Sequence, residues 1–487
     1  MLALLLVPSA QAKPGALDPS FGTAGKVTTA IGVTSAASSL VRQADGKLVA
    51  AGFSDTTSGS SPIFALARYN ANGTLDTGFG SGGAVTTAFG SNGDQAYGLA
   101  LQADGKLVAT GFHNNGFGDN DFAIARYNTD GSLDPSFNGG KVTTSFGSSS
   151  ESAGPVLQQP DGKLVVAGST CTGGVCDFAL VRYNPGGSLD SSFNGTGKVT
   201  TSIGPGDDEP TAMVRQPDRK LVVAGLSQQG PSWDFALARY DTNGSLDTSF
   251  NGTGKVTTAI GTIDDEAFAL VLQPDGKLVA AGSSYTGAAT TYDFALVRYN
   301  ADGSLDTSFG GSGKVTTAIS PANESLEGLV LQPDGKLVAA GSSNNGTNED
   351  FALVRYKADG SLDTTFGGTG KITTPIGSGD DVANALVRQP DGNLVAAGRS
   401  RVSPTSNQFA LVRYLANDVC VVPKVKGKTL KAAKRAIGKA HCSAGKVMKA
   451  FSGKIKRGRV ISQQPKPGKK LAAGSKVKLT VSKGKKP

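Results

Sequence analysis

Between Leu17 and Tyr414 short apolar runs alternate with breaks rich in Gly, Pro, Asp and Asn, and the alternation returns every 56 to 59 residues. The stretch from Leu246 to Asn300 shows the unit. Lys255-Val-Thr-Thr258 is a short β-favouring run, and Ala269-Leu-Val-Leu-Gln273 is a longer one. Pro274-Asp275-Gly276 then breaks the pattern before Lys277-Leu-Val-Ala-Ala281. Pro presets φ and Gly accepts positive φ, so two apolar runs joined this way predict a hairpin. A Gly-rich loop leads to Phe294-Ala-Leu-Val-Arg-Tyr299, and Asn300-Ala-Asp-Gly303 turns the chain into Ser304-Leu-Asp-Thr-Ser-Phe309. Each unit therefore predicts four strands, with the last segment as a candidate fifth.

Three landmarks recur seven times in fixed order. Leu-Asp-x-x-Phe starts at Leu17, Leu75, Leu133, Leu189, Leu246, Leu305 and Leu362. Asp-Gly-Lys-Leu-Val, or a close variant, starts at Asp45, Asp104, Asp161, Asp218, Asp275, Asp334 and Asp391. Phe-Ala-(Leu/Ile)-x-Arg-Tyr starts at Phe64, Phe122, Phe178, Phe235, Phe294, Phe351 and Phe409. Four antiparallel strands repeated seven times predict an all-β chain folded as a seven-bladed β-propeller. A parallel β-helix, the rival, needs shorter rungs and no tight hairpin in every unit. The array opens with Leu17-Asp-Pro-Ser-Phe21 and Lys26-Val-Thr-Thr29 and closes on an Arg-Tyr strand. The N-terminal run is thus expected to complete the seventh blade and close the ring, removing two exposed edges.

Beyond the array the pattern changes. From Val419 to Pro487 there are 21 Lys and Arg and no Asp or Glu, whereas the rest of the chain carries 27 basic and 39 acidic residues. An acidic body with a basic end is drawn, through that end, to polyanions such as wall polymers, nucleic acid or acidic lipid headgroups. The expected layout is a leader over 1–12, the propeller over 13–416 and a basic domain over 419–487. Leu2–Val7 followed by Pro8-Ser9-Ala10-Gln11-Ala12 has the apolar stretch and small-residue cleavage site of a secretory signal. Its positive flank is missing, so the start is expected to lie several residues upstream. No other segment approaches the ~20 apolar residues of a membrane span. Four cysteines suit an exported chain. Cys171 and Cys176 bracket a Gly-rich loop and Cys420 and Cys442 a strand and helix, which reads as two local disulfides. A metal site is the rival reading, disfavoured by the spacing and the want of neighbouring His.

The DGKLV, FALxRY and LDxxF landmarks resemble the delta-60 repeat of exported bacterial propeller proteins over roughly residues 17–414, a resemblance that implies the fold and no particular activity. The C-terminal segment resembles a PASTA domain, a small α+β module. Val422-Pro-Lys-Val-Lys-Gly427 matches its opening strand. Thr429 to Ala440 matches its helix, with Thr429 as cap and Leu430, Ala433 and Ile437 on one face. Gly458 to Pro465, Pro467-Gly468 and Gly474 to Ser482 match its closing strands. This resemblance implies peptidoglycan or an anionic wall polymer as partner, with Lys424, Lys426, Lys428, Lys454, Lys456, Arg457 and Arg459 as contact candidates. The module stands in single copy and is unusually lysine-rich, so charge-driven attachment is an equal reading. Nucleic acid, the third reading of the basic end, predicts a steep dependence on salt.

Repeats provide a comparison inside one chain. Arg68, Arg126, Arg182, Arg239, Arg298, Arg355 and Arg413 recur in every unit, as do Asp18, Asp76, Asp134, Asp190, Asp247, Asp306 and Asp363. They read as Arg–Asp pairs of the scaffold. Eight residues before the Gln that ends each long apolar strand stand Asp94, Glu151, Asp208, Asp265, Glu324 and Asp381, with Ser35 in the first unit. Such acids serve either as repeated turn caps or, if that strand lines the central channel, as a ring of oxygen ligands for a cation such as Ca²⁺. The Asn300-x-Asp302-Gly-Ser304-x-Asp306 turns read as ordinary turns and His113 as a solvated loop residue. There is no Ser-His-Asp set, no metal-ligand cluster and no phosphate loop. The expectation is a binding or structural propeller whose own ligand is unspecified. The alternative is an enzyme of glycosidase or lyase type acting on a polysaccharide through ring carboxylates.

Overall fold

The computed structural model describes residues 13–55, 61–116, 119–147, 150–285, 291–415, 419–440, 442–472 and 475–486. The expected leader over 1–12 lies outside them. Seven four-stranded antiparallel sheets are present. In blade 5 the strands, from the centre outward, are Asp265–Leu272 (a), Leu278–Tyr285 (b), Tyr292–Tyr299 (c) and Lys314–Thr317 (d). The turn between a and b follows its residues, with Gly276 at φ 86° and Asp275 Oδ1 accepting from the Lys277 N–H at 3.3 Å. The candidate fifth strand is instead a single bridge, Leu305 to Tyr299, followed by a turn, because its Asp and Phe are drawn inward.

Each inner strand packs on the inner strands of both neighbouring blades, so the seven sheets close into a ring around a channel. The closing blade is composite. Lys26–Thr29 pairs antiparallel with Ser406–Tyr414, Thr28 opposite Ala410, so the first strand of the chain is the outer strand of the last blade.

The apolar core lies between blades. Phe235 and Leu237 of blade 4 pack with Leu278, Ala280, Ala295 and Val297 of blade 5, all fully buried. Val395, Phe409 and Leu411 of blade 7 pack in the same way on Leu48, Ala50 and Ala65 of blade 1. Each Val, Leu or Phe removed from water stabilises the fold by about 1.5–3 kcal/mol. No blade can bury both faces of its sheet alone, which is why the ring must close.

Residues 419–486 fold separately into a small α+β unit. The helix Leu430–Lys439 is capped by Thr429, whose Oγ1 accepts from the Ala432 N–H at 3.3 Å. It buries Ala433 and Ile437 against Val460, Val477 and Leu479. Those valines and that leucine belong to a three-stranded sheet in which Lys476–Ser482 lies between Ser443–Ala450 and Val460–Gln464.

Candidate functional site

One end of the ring carries the a–b and c–d turns, and there the recurring charged residues meet. Arg239 Nε lies 2.6 Å from Asp247 Oδ2, Lys220 Nζ reaches the same oxygen at 2.7 Å, and the guanidinium stacks 4.6 Å above the Phe250 ring. Arg239 also donates to the carbonyl of Ala301 in the next blade at 2.5 Å. The same pairing recurs through Arg126–Asp134, Arg182–Asp190 and Arg298–Asp306, each at 2.6 or 2.7 Å. Arg413 carries it across the closure, with Asp18 at 3.1 Å and the Ala71 carbonyl of blade 1 at 2.5 Å. Burial alone would raise the Asp247 carboxyl. Hydrogen bonds from Lys220 and Ser249 and the Arg239 charge outweigh it and hold that group well below the ordinary carboxylate range. Each pair locks strand c to the turn that follows it in its own blade, and the second bond of the Arg, to a carbonyl of the next blade, fastens blade to blade.

The opposite end carries the b–c and d–a loops, and here the expected cation ring takes another form. Strand a does line the channel, but Asp94, Glu151, Asp208, Asp265, Glu324 and Asp381 are buried in the body of the ring. Each accepts backbone N–H groups from the turn just before it. Asp265 Oδ2 takes the Ile260 N–H at 2.6 Å, Asp94 takes Phe89 at 2.7 Å, Glu151 takes Phe146 at 2.7 Å, and Asp381 takes Ile376 at 2.6 Å. Asp208 does the same with Ile203 at 2.6 Å and Glu324 with Ile319 at 2.5 Å. An acid five residues on satisfies amides that the tight d–a turn leaves without partners. Burial, helped by the Asp293 charge, raises Glu324 to about 7 against the pull of its N–H donors. Each of the six acids thus locks its own turn, and among the described residues no three His, Cys, Asp or Glu side chains come together as a metal site.

His113 is not a loop residue. It is the last residue but one of strand b of blade 2, Leu107–Asn114, with its side chain 15% exposed and Nδ1 2.6 Å from Asp94 Oδ1. In the other blades the residue across from the acid (Ser35 in the first) is Ser or Thr.

The channel walls hold a feature that motif reading missed. Every inner strand carries a β-bulge at the third residue after the turn acid. The glycine of strand b makes room for it. At Gly282 a Cβ would collide with the Glu266 carbonyl oxygen, and the six equivalent glycines meet the same obstacle. A bulge re-aims its side chain, and here the bulge residues Ser38, Tyr97, Gly154, Thr211, Phe268, Glu327 and Asn384 all face a central cavity of about 970 Å³. No residue type occurs twice among them, and no other position of this strand behaves so. Superposing the seven units in the sequence exposes that column, but only the bulge shows where it points.

Both expected disulfides are formed. Cys171–Cys176 ties strands b and c of blade 3 at the channel mouth, and Cys420–Cys442 ties the first strand of the C-terminal unit to the segment after its helix. Lys424, Lys426, Lys428, Lys454, Lys456, Arg457 and Arg459 are all exposed. The Gly427 N–H donates to the Val460 carbonyl at 2.9 Å and the Leu430 N–H to the Gly458 carbonyl at 3.3 Å. These bonds lay the 424–430 stretch beside 457–460, so Lys428 and Arg459 share one surface.

A family model described as "Domain of unknown function (DUF5122) beta-propeller" matches residues 43–79, 102–137, 159–193, 216–250, 273–309, 332–366 and 389–419, about half of the chain. The chain belongs to the DUF5122 β-propeller family. Its delta-60-like units are repeats of this same kind, and a PASTA domain model matches residues 421–483. No curated protein matches. Among solved structures, a protein of unknown function from Dyadobacter fermentans is 13% identical, with TM-score 0.46, covering 82% of this chain and 100% of its own. A PL25 ulvan lyase is 12% identical, with TM-score 0.46 over 79% of this chain and 96% of its own. Sqt1 from Chaetomium thermophilum is 12% identical, with TM-score 0.42 over 77% and 85%. At such identities the likeness concerns the shape of the ring alone. Among the described residues no helix is long and apolar enough to cross a membrane.

Proposed function

We propose that the protein is a secreted, non-enzymatic binding propeller of the bacterial cell wall, held there by its C-terminal domain. The observation that carries this reading is the PASTA match over residues 421–483 combined with 21 basic and no acidic residues from Val419 onward. PASTA domains are associated with peptidoglycan-type wall components, and a surface of that charge also suits anionic wall polymers. Two disulfides fit an oxidising compartment outside the cell. The recurring charged residues of the ring are engaged in ion pairs within each blade, Arg bonds to the next blade and turn locks, which favours a scaffold that presents a ligand surface.

One observation favours a polysaccharide-cleaving enzyme as the second reading. Burial first, and the charges of Glu266 and Glu349 next, raise Glu327 in the channel, and burial with the Asp207 charge raises Glu209. Neighbouring carboxyls that resist joint ionisation can divide acid and base roles. The test uses the full chain with purified sacculi. Wild type is expected to cosediment, and replacing Lys424, Lys426, Lys428, Lys454, Lys456, Arg457 and Arg459 by Ala to release it into the supernatant. Cosedimentation of that variant at wild-type level sinks the wall-anchor reading, and release of reducing ends or unsaturated sugars by wild type would establish the enzyme.

A further inference from the structure

We infer that the propeller channel is a recognition site for an organic cation, an ammonium or guanidinium group carried on an apolar body. The inference deepens the binding reading of the propeller and rests on it. Its foundation is the internal comparison that seven copies of one unit allow. Where a residue serves the ring it is repeated, as with the Arg of every strand c and the Gly of every strand b. If the bulge side chains only plugged the hole, one well-fitting type would serve all seven blades. Instead the one strand-a position aimed into the cavity by a bulge differs in every blade, which turns a seven-fold ring into an asymmetric surface. Its volume, about 970 Å³, is of the size that holds small molecules or a single inserted side chain.

The chemistry of that surface selects the ligand. Tyr97 is 41% exposed inside the ring wall, its ring tilted against Phe112 at 5.9 Å between centroids and its hydroxyl 3.2 Å from Gln95 Oε1. Phe268 faces the same space from blade 5. Aromatic faces attract cations. Glu327 and Glu209 line the cavity as well, and among its described lining residues there is no Lys, Arg or His to balance them. Among the described residues the donor to Glu327 is a neutral one, the Ser325 hydroxyl at 2.6 Å. Burial and the Glu266 charge then push its carboxyl up, a cost that a bound cation relieves. A simple divalent ion leaves Tyr97 and Phe268 unexplained, whereas an ammonium or guanidinium group on an apolar stem uses both kinds of wall.

The test is calorimetry on the full chain at low ionic strength, with triarginine and cadaverine as cationic probes and chitohexaose and CaCl₂ as uncharged and inorganic ones. At least one cationic probe is expected to bind saturably, triarginine if the source is a basic peptide and cadaverine if it is a small amine. Glu327→Gln and Tyr97→Ala should each weaken that binding tenfold or more, while Asp45→Asn, at an exposed turn, leaves it unchanged. Thermal melts of each variant confirm that the ring is intact. The inference is overturned if neither cationic probe saturates, or if both channel variants bind as wild type. It is also overturned if chitohexaose or Ca²⁺ binds with the same dependence on Glu327 and Tyr97. Sacculus cosedimentation of Glu327→Gln should equal wild type, so a failed wall anchor and a failed channel site are read separately.

Discussion

At the end of the ring that carries the a–b and c–d turns, seven blades repeat one arrangement of Arg, Asp and Phe, with Lys or Asn393 completing it. In the channel, seven blades share one backbone device, the bulge opposite a glycine, and place seven different residues on it. The first region has to transmit the same load across every blade junction, and one solution fits all seven. In the second region the bulged residue is outside the strand ladder and opens onto a cavity; Thr211 and Asn384 each reach a carbonyl of the next blade, at Ala267 and Ala37, but no such side-chain bond is common to all seven. Repetition therefore marks what holds the ring together, and its failure marks what the ring is free to present.

The largest expected effect comes from breaking the ring. Deleting residues 13–30 removes the outer strand of blade 7 together with Asp18 and Phe21, which meet Arg413. The melting midpoint should fall by at least ~10 °C, since even ~1 kcal/mol moves a chain of this class by a few degrees. An unchanged midpoint in calorimetry would show that closure does not depend on that strand. Next in size, Arg239→Ala should cost about 3 kcal/mol in urea unfolding, because it removes the buried partner of Asp247, the stack on Phe250 and the bond to Ala301 together, leaving Asp247 with Lys220 and Ser249. Tyr97→Ala, at the channel, should cost well under half of that. Equal losses at the two positions would erase the distinction between the regions.

Gly282→Ala should destabilise by about 1–3 kcal/mol, the range of an overpacked site, because the new methyl meets the Glu266 carbonyl. It should also weaken capture of the cationic probe, since the bulge bearing Phe268 cannot keep its shape. Stable protein with unaltered binding would mean that the glycine does not set the bulge. The smallest effect is a gain. Blade 4 has Arg219, at φ 74°, where other blades have the glycine of the a–b turn. Arg219→Gly should stabilise the chain by about 1 kcal/mol, the usual cost of a left-handed non-glycine residue, as read from the urea midpoint.

Much of the molecule was legible from spacing alone. Pro-Asp-Gly and Asn-x-Asp-Gly dictate turns locally, and apolar runs between them dictate strands, so blade number and composition needed no long-range information. The Arg–Asp pairing was legible because both partners recur together. The turn acids were legible as a set but open in role. Asp265 serves as a lock or as a ligand according to whether its side chain turns to the Ile260 amide or to the channel, a choice of direction that spacing leaves undetermined. His113 was misread because its Asn-rich neighbours look like a loop, whereas strand b runs on to Asn114.

The amino-acid order by itself determined the seven blades, the strand that closes them, the basic C-terminal unit and its disulfide, because each rests on local turn chemistry, repetition or charge. Only the tertiary structure decided which carboxylates are consumed by turns and which side chains reach the channel. That depends on a bulge shifting the strand register by one residue. Such a shift sends a side chain to a different side without altering its identity, so composition and periodicity carry no trace of it.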